Sequence, residues 1–371
     1  MYVQIETETC VEDTITLVDL RSDTISKPSK SMRTAMSLAE VGDDVFGEDP
    51  TVKKLEEKAA KLLGKEAAIF VTSGTMGNLI AIMNHCNIRG CETYCGEDSH
   101  VVLHEQGGAA QIAGVTLCPL PNNSDGTFDL KKFQSKIKGD RQHEPISKLV
   151  IVENTFNGKI VPQSWINELS SIAKKRSLKL HMDGARLWNA SIASKLSVKE
   201  IVSEFDSVTF CLSKGLGAPA GSLLCGTKTF IENARSIRKV LGGGMRQVGI
   251  LAAAGLIALD EIVPLLVNDH QRAYKIAKAI NDLNSKIISV NLNEVQTNMI
   301  FVKISSEKIT SREFVQRLKT TSTNHNDDKI IVRGMALTPH SARFVLYYEI
   351  DDQMVAAAIR KFTYVIKELD P

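Results

Sequence analysis

The stretch Ser207-Val-Thr-Phe-Cys-Leu-Ser-Lys214-Gly-Leu-Gly217 decides the fold, because it is an apolar, strand-like run that stops at a lysine followed by glycines. Two other runs end in a similar way. Lys179-Leu-His-Met-Asp183-Gly ends at a carboxylate, and Ala67-Ala-Ile-Phe-Val-Thr-Ser73-Gly74-Thr75 ends in a turn of small residues before a helical pattern. Open α/β sheets bind ligands at the carboxyl ends of their strands. The three runs therefore predict a ligand site at one edge of such a sheet.

The residue types at these three strand ends fit pyridoxal phosphate (PLP). The amine of Lys214 can form an imine with the aldehyde of that cofactor. The carboxylate of Asp183 can keep the pyridine nitrogen protonated, so that the ring accepts the electron pair left when a bond to Cα breaks. Ser73, Gly74 and Thr75 would supply backbone N–H groups and hydroxyls at a helix N-terminus, where the helix dipole favours a phosphate. The sequence therefore predicts a PLP enzyme.

Each motif taken singly has an ordinary structural explanation, such as a solvated strand end, an Asp-Gly turn or a helix N-cap. Their joint occurrence in this order favours the cofactor site. The main rival is a nicotinamide-binding domain, which would need Gly-x-Gly-x-x-Gly after the first strand and an acidic residue about 20 positions later. The first turn instead reads Ser73-Gly-Thr-Met-Gly-Asn78 and lacks that pattern.

The composition predicts an ordinary globular enzyme. Of the 371 residues, 45 are Lys or Arg and 43 are Asp or Glu, and the basic residues are spread along the chain, so no nucleic-acid partner is expected. The longest apolar run, residues 250–259, is too short to cross a bilayer, so no membrane partner is expected either. The seven cysteines include no Cys-x-x-Cys and form no set of metal ligands. Reduced thiols suit a cytoplasmic protein, and we predict no metal site.

Helical and strand patterns alternate from about residue 52 onward, which predicts an α/β fold with a mainly parallel, seven-stranded type of sheet between helices. We predict a flexible N-terminal tail over residues 1–16. A large cofactor-binding domain with an N-terminal segment would cover residues 17–266, and a smaller C-terminal α/β domain residues 267–371. Within these domains the periodicity predicts a helix over 101–110 and a strand over 344–349.

Six motifs in order carry a more specific likeness. They are Leu20-Arg-Ser22-Asp23-Thr24, Gly42-Asp-Asp44-Val45-Phe46-Gly47-Glu-Asp-Pro50, Glu153-Asn-Thr155, Asp183-Gly-Ala-Arg186, Cys211-Leu-Ser-Lys214-Gly and Gly242-Gly-Gly-Met-Arg246-Gln. From about residue 17 to the C-terminus the chain resembles the low-specificity L-threonine aldolases, which are PLP-dependent enzymes of the aspartate-aminotransferase fold (fold type I). The resemblance implies a carbon–carbon lyase that cleaves L-threonine or L-allo-threonine to glycine and acetaldehyde, in threonine catabolism and glycine biosynthesis. It also implies a cytoplasmic homotetramer, built as a dimer of dimers with shared active sites.

The resemblance assigns roles to the residues whose motifs match. Lys214 would be the imine lysine and Asp183 the partner of the pyridinium nitrogen. Ser73, Gly74 and Thr75 would hold the phosphate, with Arg246 arriving from the neighbouring subunit. Ser22, Arg186 and Arg343 would bind the substrate carboxylate, since a guanidinium can bind a carboxylate through two hydrogen bonds. Arg186 would also border the cofactor.

Two histidines receive roles from the same resemblance. His100 would stack over the cofactor ring and meet the substrate, and His143 would lie near the β-hydroxyl of the substrate. Both are candidates for the base that removes the hydroxyl proton, since imidazole suits proton transfer near neutral pH. His104 lies four residues after His100, on the same face of a helix, where some members of the family carry an aromatic residue, so its identity bears on the preference between L-threonine and L-allo-threonine. The other histidines are expected to be structural or exposed; they are His85, His181, His270, His325 and His340.

Two other functions stay open from the sequence. One is a different fold-type-I reaction on a small amino acid, namely transamination or β-elimination. The other is a non-catalytic relative that binds or assembles, which loss of Lys214, Asp183 or the Ser73-Gly-Thr turn would have indicated. All of these residues are present, so the aldolase is preferred.

Overall fold

A computed structural model describes residues 15–139, 141–321 and 329–370. It divides into two compact units. The first unit is Thr24–Val267, and the second joins the residues up to Asp23 to those from Asn268 onward. Most of the predicted N-terminal tail, together with Cys10 and His325, lies outside the described residues.

The secondary-structure elements of the described chain are numbered in chain order. The strands are β1 (Thr16–Asp19), β2 (Ala67–Val71), β3 (Cys91–Gly96), β4 (Thr116–Leu120), β5 (Ile146–Glu153), β6 (Lys179–Asp183), β7 (Ser207–Cys211), β8 (Ser222–Gly226), β9 (Ile288–Val290), β10 (Met299–Ile304), β11 (Ile330–Arg333), β12 (Met335–Thr338) and β13 (Ser341–Val345). The α-helices are α1 (Lys30–Ser37), α2 (Pro50–Leu63), α3 (Gly74–His85), α4 (His100–Leu103), α5 (Gly108–Gln111), α6 (Leu130–Lys136), α7 (Gln163–Lys175), α8 (Leu187–Ser194), α9 (Val198–Ile201), α10 (Lys228–Val240), α11 (Gly249–Ile257), α12 (Leu266–Asn281), α13 (Ser311–Lys319) and α14 (Asp352–Leu369).

The first unit is built on a seven-stranded sheet with the order β2-β8-β7-β6-β5-β3-β4. The strands from β7 across to β4 pair in parallel, whereas β8 runs antiparallel to both of its neighbours. Every residue of β3, β7 and β8 is buried, as expected for strands covered on both faces. The predicted α/β fold with a mainly parallel seven-stranded sheet is confirmed.

The local sequence explains where the helices of this unit begin and end. Asp49 is the N-cap of helix α2, and its side chain accepts hydrogen bonds from the backbone N–H groups of Thr51 and Val52. Pro50 occupies the first position of the helix. It ends at Gly64, whose positive φ of 64° suits a residue without a Cβ atom. The apolar side of α2 is buried and includes Leu55, and such burial is the main source of stability for a helix of this length.

The second unit contains a four-stranded antiparallel sheet of order β12-β13-β10-β9 and a parallel pair formed by β1 and β11. Its core includes a cluster of three aromatic rings, Phe314, Phe344 and Phe362. The domain prediction had grouped everything from residue 17 with the large domain. In the structure, β1 pairs with β11 instead, so residues 15–23 belong with the C-terminal residues.

Two predicted elements differ from the structure. The helix predicted over 101–110 is broken into α4 and α5, because Gln106 and Gly107 both have a positive φ, of 55° and 64° respectively. The strand predicted over 344–349 is β13, which ends at Val345. Periodicity does not detect the end of β13, since apolar residues continue past Val345.

The apolar run seen in the sequence lies within a helical stretch of 33 residues, Gly249–Asn281. The most apolar part of this stretch has a mean hydropathy of 2.2. By length and composition it could cross a membrane, although the core helix of a soluble protein meets the same criterion. In its first part the side chains of Ala252, Ala253 and Ala254 are buried.

Candidate active site

The carboxyl ends of three adjacent strands place the central residues of the site. Glu153 ends β5 and is paired in register with Asp183, which ends β6. Asp183 is in turn paired with Thr209 of β7, and Lys214 follows β7 by three residues. Ser73 follows β2 at the same edge, because β2 and β7 both pair with the antiparallel strand β8. The three predicted strand ends therefore lie at one edge of the sheet, as the sequence indicated, and Glu153 at the end of β5 joins them there.

Asp183 is a buried carboxylate with two fixed donors. Its side chain is 4% exposed. One oxygen, Oδ2, accepts a 2.8 Å hydrogen bond from Nδ2 of Asn78, and the other, Oδ1, accepts the backbone N–H of Ala185 at 3.1 Å. The negative charge that a pyridinium nitrogen requires is thus held in one orientation.

His100 is held by two acidic residues. Its backbone N–H donates to Oε2 of Glu153 at 3.0 Å, and its ring Nδ1 lies 2.9 Å from Oε1 of the buried Glu105. The hydrogen bond with Glu105 is the largest cause of a raised pKa of His100, and the charge of Asp183 adds to it. The arrangement leaves the other ring nitrogen, Nε2, to face a reactant.

Glu153 carries a raised pKa in the same cluster. Burial is the main cause, and the neighbouring charge of Asp183 raises the pKa further, while the N–H of His100 and the charge of Lys214 oppose the rise. Two carboxyl groups that interact at close range do not ionise independently. Glu153 is therefore the member of this pair that tends to keep its proton.

Lys214 lies in a fixed turn with its side chain half-buried. Its carbonyl oxygen accepts the hydroxyl of Ser26 at 2.9 Å and the N–H of Gly217 at 2.8 Å. The Lys214 charge acts on the pKa of His100, of Glu153 and of Cys211, so the amine lies among these groups.

The predicted phosphate turn forms the N-terminus of α3. Ser73 is the N-cap, and its Oγ accepts the backbone N–H of Met76 at 3.2 Å. The first N–H groups of any helix have no partner inside the helix and favour an anion. A Cβ atom at Gly74 would lie 2.8 Å from Sγ of Cys211, so glycine is required for the close approach of the turn to β7.

The end of β5 provides an observation that bears on the cofactor. Among the described residues, Nδ2 of Asn154 and Oγ1 of Thr155 are buried polar atoms without a hydrogen-bond partner. Buried polar groups of this kind normally have a partner, so each is available to a bound polar molecule. Together with the amine of Lys214 and the carboxylate of Asp183, these atoms fit PLP.

His143, one of the predicted site residues, lies far from this cluster within its own chain. His143 is exposed and lies three residues before β5, whose eight residues end at Glu153. At about 3.3 Å per residue this strand separates its two ends by roughly 23 Å. His143 therefore does not reach Lys214 of its own chain, because it lies near the opposite edge of the sheet.

Arg246 and the predicted carboxylate-binding residues have other surroundings. Nη1 of Arg246 donates to both carboxylate oxygens of Asp43, at 3.2 and 2.9 Å. In the second unit, Nη2 of Arg343 donates to the carbonyl oxygen of Arg21, which brings Arg343 beside Ser22. Arg186 lies in the first unit, directly before α8. The roles of all four residues remain predictions.

Comparison with known proteins identifies the family. The beta-eliminating lyase family matches residues 19–305. A probable low-specificity L-threonine aldolase 2 of Arabidopsis thaliana is 44% identical over 349 residues, which cover 91% of this chain and 94% of that protein. The low specificity L-threonine aldolase of Escherichia coli (strain K12) is 46% identical over 291 residues, covering 78% and 86% of the two chains.

The chain belongs to the beta-eliminating lyases, within the low-specificity L-threonine aldolase family.

The fold of this lyase agrees with solved structures of more distant sequence. The threonine aldolase of Leishmania major superposes with a TM-score of 0.78 at 20% identity, covering 95% of this chain and 99% of that one. A structure described as SPT with PLP superposes with a TM-score of 0.72 at 16% identity, covering 98% and 92%. At these identities the likeness establishes the fold, so the predicted fold type I is confirmed.

Three residues of this lyase's site received no role from the sequence. They are Asn78, Glu105 and Glu153, which link Asp183 to His100. Glu153 stands in one of the six motifs, which is a weak signal, since the motif does not say what the side chain contacts. Asn78 and Glu105 lie in a helix and a loop far from Asp183 in sequence, so local patterns give no indication of their partners.

Proposed function

We propose that the chain is a PLP-dependent carbon–carbon lyase that cleaves L-threonine and L-allo-threonine to glycine and acetaldehyde by a retro-aldol reaction. The observation that carries the proposal is the placement of Lys214 and the doubly hydrogen-bonded Asp183 at the ends of adjacent parallel strands. Relatives that are 44% and 46% identical are named for this activity and support it.

Bound PLP would supply an electron sink for the pair of electrons left at Cα when the Cα–Cβ bond breaks. The chain's own residues do the rest. Lys214 would supply the amine that anchors the cofactor. The carboxylate of Asp183, which accepts hydrogen bonds from Asn78 and the N–H of Ala185, would pair with the pyridine nitrogen. The N–H groups and hydroxyls of the Ser73-Gly74-Thr75 turn would hold the phosphate.

His100 is the candidate base for the β-hydroxyl proton. When its Nδ1 carries the proton shared with Glu105, its Nε2 has a free lone pair that can accept the proton of the substrate hydroxyl. The raised pKa of His100 means that the imidazole can keep this proton after bond cleavage. Ser22, Arg186 and Arg343 are proposed to bind the substrate carboxylate, which would orient the substrate for cleavage of its Cα–Cβ bond.

Several further features of the proposal rest on the resemblance. We propose a homotetramer, a dimer of dimers with shared active sites, in which Arg246 and His143 act in the site of a neighbouring subunit. The distance of His143 from Lys214 within one chain supports a role in another chain's site. We also propose a cytoplasmic location, a role in glycine biosynthesis and threonine catabolism, and no nucleic-acid or membrane partner, as the evenly spread charge suggests.

β-Elimination is the second candidate, because the matching family is described as beta-eliminating lyases. From threonine it would expel the β-hydroxyl as water and end in 2-oxobutanoate and ammonia, with the Cα–Cβ bond intact. Incubation of purified protein and PLP with L-threonine separates the two reactions. The proposal predicts glycine and acetaldehyde in equal amounts, and formation of 2-oxobutanoate in their place would contradict it.

A further inference from the structure

A chain of buried hydrogen bonds runs from the back of the sheet to Asp183. Nε2 of His85 lies 2.7 Å from Oγ of Ser207, and the same Oγ lies 2.8 Å from Nδ1 of His181. Nε2 of His181 lies 3.2 Å from Oδ1 of Asn78. Ser207 and His181 are 0% exposed, Asn78 1% and His85 9%. The four side chains come from one helix and two adjacent strands, so this polar chain crosses the interior of the first unit.

The Asn78 amide fixes the direction of the protons in this chain. Its Nδ2 donates to carboxylate oxygens on both Asp183, at 2.8 Å, and Glu105, at 2.9 Å. Carboxylates accept hydrogen bonds and do not donate them, so the opposite amide orientation would place Oδ1 against two negative charges. Oδ1 therefore faces His181, where it needs a donor.

The remaining protons follow in sequence. Nε2 of His181 must carry its proton in order to donate to Asn78, which leaves Nδ1 as an acceptor in the neutral ring. The hydroxyl of Ser207 then donates to that Nδ1, and its oxygen accepts from Nε2–H of His85. Oγ1 of Thr209, at 3.5 Å from Nε2 of His181, can share the same proton. Every donor in the chain points toward Asp183.

Electrostatics supports neutral rings at both histidines. Burial lowers the pKa of His181 to about 3, and the nearby His85 acts in the same direction, while a hydrogen bond with the backbone of Ser207 opposes the change. Burial also lowers the pKa of His85 to about 4; the charge of Asp206 opposes this change, and those of Lys179 and Lys148 add to it. Neutral imidazole has one donor and one acceptor, as the one-way chain requires.

We propose that His85, Ser207 and His181 are positioning residues that lock the Asn78 amide with its NH2 group toward Asp183 and Glu105. The proposal rests on the PLP-dependent function, since its purpose is to hold the Asp183 carboxylate toward the cofactor nitrogen while also fixing the acidic partner of His100. If the amide turned over, Asp183 and Glu105 would each lose a donor and gain an unfavourable oxygen contact.

The first test reads the tautomers directly in the wild-type holoenzyme. The holoenzyme is prepared with 15N-labelled histidine, and ring nitrogens are followed by long-range 1H–15N correlation, with His85→Gln and His181→Gln samples used to assign the signals. Both rings are expected to be neutral with the proton on Nε2 across the range in which the protein is folded. A proton on Nδ1 of His181 overturns the proposal, because the unprotonated Nε2 of His181, an acceptor, would then face Oδ1 of Asn78, which is also an acceptor.

The second test compares two serine-to-alanine variants at buried positions. Ser207→Ala removes the link between the two histidines, whereas Ser170→Ala removes an equally buried hydroxyl of α7 that donates to Glu204 and has no part in the chain. Loss of the link is expected to weaken PLP binding about tenfold, as for one buried hydrogen bond, and to shift the pH midpoint of the cofactor's visible absorbance. Ser170→Ala is expected to leave both unchanged.

The outcomes separate this inference from the proposed function. Equal PLP affinity and absorbance midpoint in Ser207→Ala and Ser170→Ala would overturn the positioning role while leaving the PLP enzyme intact. A wild-type protein that binds no PLP would instead contradict the proposed function, and the tautomer of His181 would still decide whether the one-way chain exists. Ser207→Thr, which keeps the hydroxyl, is expected to retain the wild-type midpoint and thereby ties the effect to the hydrogen bond.

Discussion

Replacing Asp183 with asparagine tests the electrostatic core of the site. The Asp183→Asn side chain keeps the shape of the carboxylate but loses its charge and gains an NH2 group. That NH2 must face either Nδ2 of Asn78 or the N–H of Ala185, which both donate to the carboxylate in the wild type. One buried donor is therefore left facing another donor, which costs roughly 1–3 kcal/mol of folding stability.

The expected loss of activity is larger than this loss of stability. Removal of one preorganised electrostatic partner of a developing charge lowers kcat by about 10²–10³. We expect Asp183→Asn to bind PLP, to lose kcat by that factor and to change KM little, because substrate recognition is assigned to other residues. The assay couples acetaldehyde to alcohol dehydrogenase and measures PLP content by absorbance.

Asp206→Asn is the matched control for this variant. Asp206 accepts a backbone N–H from Leu180 at 2.9 Å and the amine of Lys179 at 2.8 Å, and it precedes β7 at the opposite edge of the sheet from Lys214. It undergoes the same chemical change outside the site, so kcat should stay near that of the wild type. Near-normal turnover in Asp183→Asn would refute the assignment of Asp183 to the cofactor nitrogen.

Three further predictions follow from other parts of the chain. The buried Asp269 has its pKa raised to about 7, mainly by burial, so its contribution to stability is fully present below 3.8 and lost as the pH rises through about 7. The difference between 3.8 and about 7 corresponds to roughly 4 kcal/mol, which is lost progressively between these pH values, so the melting temperature of Asp269→Asn relative to wild type should rise from about pH 4 to about pH 8; parallel pH trends would contradict this. His100→Asn should change the ratio of kcat/KM for L-threonine and L-allo-threonine, with both D-isomers rejected, and equal proportional losses on the two L-substrates would leave His100 without a role in hydroxyl recognition. Gly221→Ala should destabilise the protein by about 1–3 kcal/mol more than Gly47→Ala, because both positions have a positive φ but a Cβ at Gly221 would lie 2.4 Å from the ring of Phe70; equal melting temperatures would contradict this.

The strand ends of the site were predictable because their signals are local. An apolar run followed by Lys214-Gly or Asp183-Gly marks both the strand and the place where it stops, and parallel strands bring such ends to one edge. The α/β class and the seven-stranded sheet follow from the same alternation. These features depend on residues that are close together in sequence, so local sequence patterns can predict them.

The polar network behind these strand ends was not predictable in the same way. Asn78 contacts Glu105 and Asp183, which are 27 and 105 residues away in sequence. His181 lies among the buried residues of β6, so the sequence pattern predicts only an ordinary structural role for it. Glu105, which lies between α4 and α5, likewise meets Asn78 only in the folded unit. Such contacts are set by packing of the whole unit.

His143 shows a different limit of motif comparison. Its surroundings in sequence match a family position near the substrate hydroxyl, but a motif does not state which subunit's site the residue enters. The direction of β5 places His143 at the far edge of its own sheet, away from Lys214 of the same chain. Register and strand direction supply information that the motif lacks.

Reductive trapping of the cofactor tests the central claim most directly. The holoenzyme is treated with borohydride, digested and mapped by mass spectrometry, with Lys214→Ala treated in parallel. We predict a pyridoxyl group on Lys214 in the wild type, and in Lys214→Ala no covalent label and no turnover of L-threonine. A pyridoxyl group on another lysine of the wild type, or turnover retained in Lys214→Ala, would contradict the account.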